Sequence, residues 1–187
     1  MSYTKSLPVG DFNLWVQREF EAIEQALGSI IRTTDGRLLS QAGWKPCYGS
    51  MTGEEFGWVK SSAAQNTWYE ISHSGMSDGY LSSGVTHDGS GKLTIATAGQ
   101  YLVSYSITFE VSGANKHMET AISISGTEQT PGQSHCETAA ANLEVCIGSH
   151  AILNLSAAAT VEISIRHTDT GAVQITVDDL NVVVVRL

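Results

Sequence analysis

The chain has 187 residues, 42% of them hydrophobic and 16% charged. That composition supports one packed domain with an appendage and excludes wholesale disorder. The formal charge is −9, and the only ten Lys and Arg are scattered, which excludes the basic footprint of a nucleic-acid binder.

Residues 1–10 carry Pro8 and Gly10 without a hydrophobic period and read as an extended arm. They contain no apolar stretch of the kind a secretion signal needs, and no apolar run anywhere in the chain approaches the roughly 18 residues of a membrane helix. Asp11 is a suitable helix N-cap for FNLWVQREFEAIEQALGSII. Within that stretch Val16, Phe20, Ile23, Leu27 and Ile30 recur at spacings of four and three, the seam of a helix that can trimerise. Glu19 and Glu24 flank the seam and would face like charges, so the coil alone is marginal. Phe12, Leu14 and Trp15 lie off the seam, would face outward from a helix trimer, and are the candidate anchoring residues. A helix packed on its own domain is the plainer alternative. Residues 32–66 mix Gly36, Gly43, Gly49, Gly53 and Gly57 with Trp44, Tyr48, Phe56 and Trp58. The glycines argue against regular structure and the aromatics against a loose linker, so a compact collar is expected between the 1–31 arm and helix and the domain that follows.

From residue 67 the pattern is that of strands. TWYEIS, KLTIAT, GQYLVSYSITFEVS, HMETAISISG, SHCETAA, NLEVCIGSHAILNL, TVEISIRHT and VQITVDDLNVVVVRL are separated by turn residues. They predict a mainly β, two-sheet jelly roll over residues 67–187. Tyr101, Val103, Tyr105, Ile107, Phe109 and Val111 alternate with polar residues and mark a half-buried central strand. In the last strand both alternate sets are apolar: Leu180, Val182 and Val184 against Val183 and Val185. A strand apolar on both faces is covered on both. A second subunit is the expected cover, with Val182 and Val184 as contact residues, and a neighbouring loop is the alternative.

TAGQYLVSYSITFEV, with its small residue, Gly, aromatic and alternating apolar positions, resembles the central strand of the C1q/TNF-like jelly roll. The resemblance continues through KHMETAISISGTEQ and HAILNLSAAATVEISIRHTDTGAVQITVDDLNVVVVRL, from about Trp68 to Leu187. The combination looks like the C1q-like β-domains of tailed-bacteriophage virion proteins. The resemblance implies a homotrimer with its terminal strand near the threefold axis. It also implies residence in the virion after assembly in a host cytoplasm, with the major capsid protein or another virion protein as partner. A capsid decoration, cement or head-fibre role is expected, because the chain is short and lacks the long repeats of a tail fibre. The alternative is the receptor- or glycan-binding tip of a short tail fibre or spike, with host surface glycan as partner and Trp68, Tyr69 and Tyr80 as sugar contacts.

No residue pattern points to catalysis, a cofactor or a metal. The six His are dispersed and form no HxxxH or HExxH. There is no GxSxG elbow, and THDGSGK lacks the GxxxxGK[ST] of a phosphate loop. Asp178-Asp179 reads as a mid-strand or bulge doublet on an exposed face. The resemblance makes it a candidate for calcium, which some C1q-like domains use, but no DxDxDG loop accompanies it. Cys47, Cys136 and Cys146 are an odd count without a secretion signal, which favours reduced thiols. A Cys136–Cys146 bridge is the alternative.

Overall fold

A computed structural model describes residues 47–79 and 82–187. The chain divides between Lys45 and Pro46. The predicted helix, its seam Val16, Phe20, Ile23, Leu27 and Ile30, the anchoring residues Phe12, Leu14 and Trp15, and also Trp44 and Tyr80, lie outside the described residues.

The strands in chain order are β1 (Tyr48–Gly53), β2 (Trp58–Ala63), β3 (Tyr69–Glu70), β4 (Ser77–Asp78), β5 (Val85–His87), β6 (Leu93–Ile95) and β7 (Gly99–Val111). They continue with β8 (Lys116–Ile124), β9 (Thr127–Glu128), β10 (Ser134–Thr138), β11 (Val145–Leu155), β12 (Thr160–His167) and β13 (Val173–Arg186). The first sheet has the order β11-β7-β13-β1-β4, with β2 also on β13. The second has the order β10-β8-β12-β6-β5, with β3 on β12 and β9 on β8. Every pairing is antiparallel. The architecture is therefore the expected two-sheet jelly roll, closed by inward side chains from both sheets.

The core follows from the alternation. Tyr101, Val103, Tyr105, Ile107, Phe109 and Val111 of β7 all point inward and are buried. Met118 and Ile122 of β8 and Val161, Ile163 and Ile165 of β12 meet them from the second sheet. The buried Tyr105 hydroxyl shares a 2.8 Å hydrogen bond with Thr120 Oγ1 and donates to the Gly132 carbonyl at 3.2 Å, so this polar group is not stranded in the core.

The expected domain boundary is corrected by two strands. β1 and β2 fall in the stretch read as a collar, yet Tyr48–Gly53 pairs with Leu180–Val185, and Trp58–Lys60 pairs with Ile175–Val177. The jelly roll thus includes residues well before 67. Gly49 and Gly53, which look like breaks in the sequence, are strand residues where a side chain would not fit. A Cβ on Gly49 would sit 2.7 Å from Val85 Cβ, so the glycine lets β1 approach β5 of the other sheet. Trp58 packs against the core of its own chain.

A bulge in β13 overturns the choice of Val182 and Val184 as contact residues. The pairing with β7 shifts between Val177 and Asp179. One residue is absorbed there, so Val173, Ile175 and Val177 before the bulge and Leu180, Val182 and Val184 after it all face inward. Val182 and Val184 are fully buried in their own chain. The outward set is Val183 and Val185, which are 47% and 39% exposed.

All three cysteines are free. Cys136 packs against the core, where burial pushes its thiol above the ordinary range, whereas Cys146 is exposed.

His117 at the start of β8 is tied to the β12–β13 loop. Its Nδ1 lies 3.1 Å from Asp169 Oδ1, and its backbone N–H donates to Asp169 Oδ2 at 2.5 Å. The side-chain hydrogen bond to Asp169 raises the imidazole above its ordinary 6.5, and the same bond lowers Asp169 below its ordinary 3.8. A raised imidazole stabilises the fold fully below its unfolded value and loses that contribution as pH rises through the folded value. A lowered carboxylate contributes above its unfolded value and loses the contribution as pH falls through its folded one. The pair is therefore strongest between about pH 4 and pH 6.5. Thermal melts of His117→Ala against the parent should differ most near roughly pH 5.5 and draw together as pH rises through the raised imidazole value. A difference that grows above neutrality would contradict the pairing.

Candidate functional site

The register places the outward residues of the first sheet in rows. Ile152, Leu102, Val185 and Tyr48 stand side by side across β11, β7, β13 and β1. The next row is His150, Ser104, Val183 and Ser50, and the next is Gly148, Ser106, Asn181 and Thr52. Cys146, Thr108 and Asp179 follow. The face is thus graded: apolar at one end, small and polar in the middle, acidic at the other.

The apolar end is the part that water covers at a cost. Ile152 is 62% exposed, and Leu187 just past β13 is 57% exposed. With Val183 and Val185 they form a patch on one sheet end, where scattered single residues would be unremarkable. A shallow groove of about 260 Å³ runs over Tyr48, Gly49, Ser50 and Val183–Val185. Apart from His150 at one margin, the middle rows carry short side chains, so a partner can approach the backbone closely there.

The acidic end has a structural job of its own. The Asp178-Asp179 doublet forms the bulge, one of the two placements its sequence allows, and the bulge holds the β1–β2 turn. The backbone N–H of Glu55 donates to Asp179 Oδ1 at 3.0 Å, and that of Phe56 donates to the Asp178 carbonyl at 3.1 Å. Thr52 Oγ1 donates to Asn181 Oδ1 at 2.6 Å beside it. Around these lies an open concavity of about 1000 Å³ lined by Glu54, Glu55, Glu110, Glu144, Asp178 and Asp179 and by no Lys or Arg. Among the described residues no group of three or more His, Cys, Asp or Glu converges as a metal site.

The residues expected at the interface, Val182 and Val184, lie on the strand that contributes to this face but point into the core. Ile152, Leu102 and Tyr48 were missed because their rows exist only once the strands are paired. Of the residues suggested as sugar contacts, Trp68 and Tyr69 are engaged within their own chain. The Arg166 guanidinium lies 4.3 Å from the centre of the Trp68 ring, and Lys60 Nζ lies 4.6 Å from that of Tyr69. The Tyr69 hydroxyl accepts the Ala64 N–H at 2.8 Å.

No protein-family model and no curated protein matches the chain. Among solved structures it resembles Eiger TNF from S. frugiperda, with a TM-score of 0.55 and 15% identity over 76% of this chain and 92% of that one. The fold is a C1q/TNF-like jelly roll. Fainter likenesses are to the globular domain of zebrafish complement 1qA and to the PRD1 vertex protein P5. The first has a TM-score of 0.47 and 12% identity over 76% and 98% of the two chains. The second has a TM-score of 0.46 and 14% identity over 75% and 72%. At these identities the shared property is the path of the chain.

Proposed function

We propose that the chain is a non-enzymatic structural protein of a tailed-bacteriophage particle, a homotrimer that decorates or cements the capsid or forms a head fibre. The observation that carries the self-association is the apolar end of the first sheet's outer face, where Ile152, Val183, Val185 and Leu187 are gathered on one surface. A closed ring of copies covers such a patch on every subunit at once. The virion setting and the threefold symmetry rest on the sequence resemblance. In this reading the jelly roll projects and the region before Pro46 attaches it to the major capsid protein or another virion protein. Sedimentation equilibrium tests the assembly, and a monomer at micromolar concentration would refute it. Band densitometry of purified particles tests the role: many copies fit a decoration or cement protein, and a few copies per particle would favour the tail-tip reading.

The division of labour has its own test. Deletion of residues 1–60 would remove β1 and part of β2 and strip the edge of β13, so the informative fragment is 46–187. That fragment is expected to fold and self-associate but to leave depleted particles undecorated. Full occupancy by the fragment would place the anchor in the jelly roll.

A further inference from the structure

Where the edges of the two sheets meet, a buried imidazole holds a turn by a bond that only its neutral form can make. His87 ends β5 in the second sheet, and its side chain is 2% exposed. Its Nδ1 lies 3.1 Å from Oδ1 of Asp78, on β4 in the first sheet. Its Nε2 accepts the backbone N–H of Gly91 at 3.2 Å. A ring nitrogen that accepts carries no proton, so the proton sits on Nδ1, on the side of the Asp78 carboxylate. We propose that His87 is an acid-sensitive latch, whose protonation at Nε2 releases the Gly91 amide and remodels the Asp88–Gly91 turn while keeping the link to Asp78.

The turn is strung on few bonds, and they share atoms. Asp88 Oδ1 accepts the N–H of Ser90 at 2.7 Å and of Lys92 at 3.1 Å, and Asp88 Oδ2 accepts the Ser90 hydroxyl at 2.8 Å. The Ser90 carbonyl accepts the His73 N–H at 2.8 Å. Gly91 has φ +120°, and a Cβ there would lie 2.7 Å from the Ile71 carbonyl oxygen, so its amide has little room to turn without moving the neighbouring segment. When Nε2 gains a proton, two N–H donors face each other and the Gly91 bond is lost. The nearest carboxylate oxygen for the new N–H is Asp88 Oδ1, 3.9 Å away. Reaching it draws Asp88 from the Ser90 and Lys92 amides. The charged groups facing the ring are thus Asp78 from β4 and Asp88 from the turn. Lys92 of the same hairpin turns its ammonium to Glu70 at 2.8 Å and Glu162 at 3.4 Å instead. His73, across the turn, meets it through its backbone. Asp78 can hold the ring in both states, and more strongly once the ring is charged.

The test is an NMR pH titration of the full chain. The Ser90, Gly91 and Lys92 amide signals should shift along one curve that coincides with the His87 ring signals. Gly91 exchange, corrected for its intrinsic pH dependence, should rise on the order of tenfold across the same step. In His87→Gln the step should vanish although the other histidines remain. Asp88→Asn, which keeps the imidazole, should move the midpoint to lower pH because one carboxylate facing the charged ring is gone. A His87 ring that titrates while the Gly91 amide stays unchanged would overturn the latch. So would the same amide step in His87→Gln.

Discussion

Val184→Asp is expected to unfold the jelly roll rather than merely dissociate it. Val184 is fully buried in the core, opposite Gly49 on β1 and Val103 on β7. A carboxylate there would leave water with no partner charge beside it. The cost is at least several kcal/mol, whether met as desolvation or as a proton taken up to neutralise it. A domain of this size has a net stability of about 5–15 kcal/mol, so the variant should sit near or past its folding limit. Val184→Ala isolates the packing contribution and should cost about 2 kcal/mol. Urea denaturation reads both changes. If Val184→Asp melts like the parent, Val184 faces solvent, and the bulge at Asp178-Asp179 has been placed in the wrong register.

The neighbouring residue is expected to behave in the opposite way. Val185→Asp combined with Ile152→Asp should leave each subunit folded and abolish self-association. Val185 and Ile152 flank Leu102 in one outward row and are exposed within the subunit. Substitutions at such positions usually change subunit stability by less than about 0.5 kcal/mol. In an assembly that buries this row, each side chain is worth roughly 1.5–3 kcal/mol. Losing two per interface weakens association by on the order of a hundredfold or more, and the new carboxylates repel across the interface as well. The expected signature is a monomer by sedimentation with the β-sheet circular dichroism and urea midpoint of the folded subunit retained. An unchanged assembly in the double variant would move the interface off this face.

Adjacent residues with opposite fates show what alternation conveys and where it stops. Along β7 the period of two runs unbroken, so Tyr101 to Val111 could be assigned to the core directly from the sequence. Along β13 the same rule fails, because the apolar residues on either side of Asp178-Asp179 belong to one face although their numbers differ in parity. Sequence periodicity carries phase only as far as the next bulge. The bulge is visible only through its partners, Phe109 and Thr108 on β7 and the Glu55 and Phe56 amides that it holds.

The sequence by itself determined the fold class, the buried face of the central strand and the run of strands from Trp68 onward. These depend on local composition and period, which one strand carries alone. Tertiary structure decided the rest. β1 and β2 are strands because β13 offers them an edge, even though Gly49 and Gly53 break the local pattern of β1. The candidate face is a set of rows drawn from β11, β7, β13 and β1, residues as distant in the chain as Tyr48 and Val185. No single segment contains such a row, because the hydrogen-bonded register that aligns it exists only once the sheet has formed.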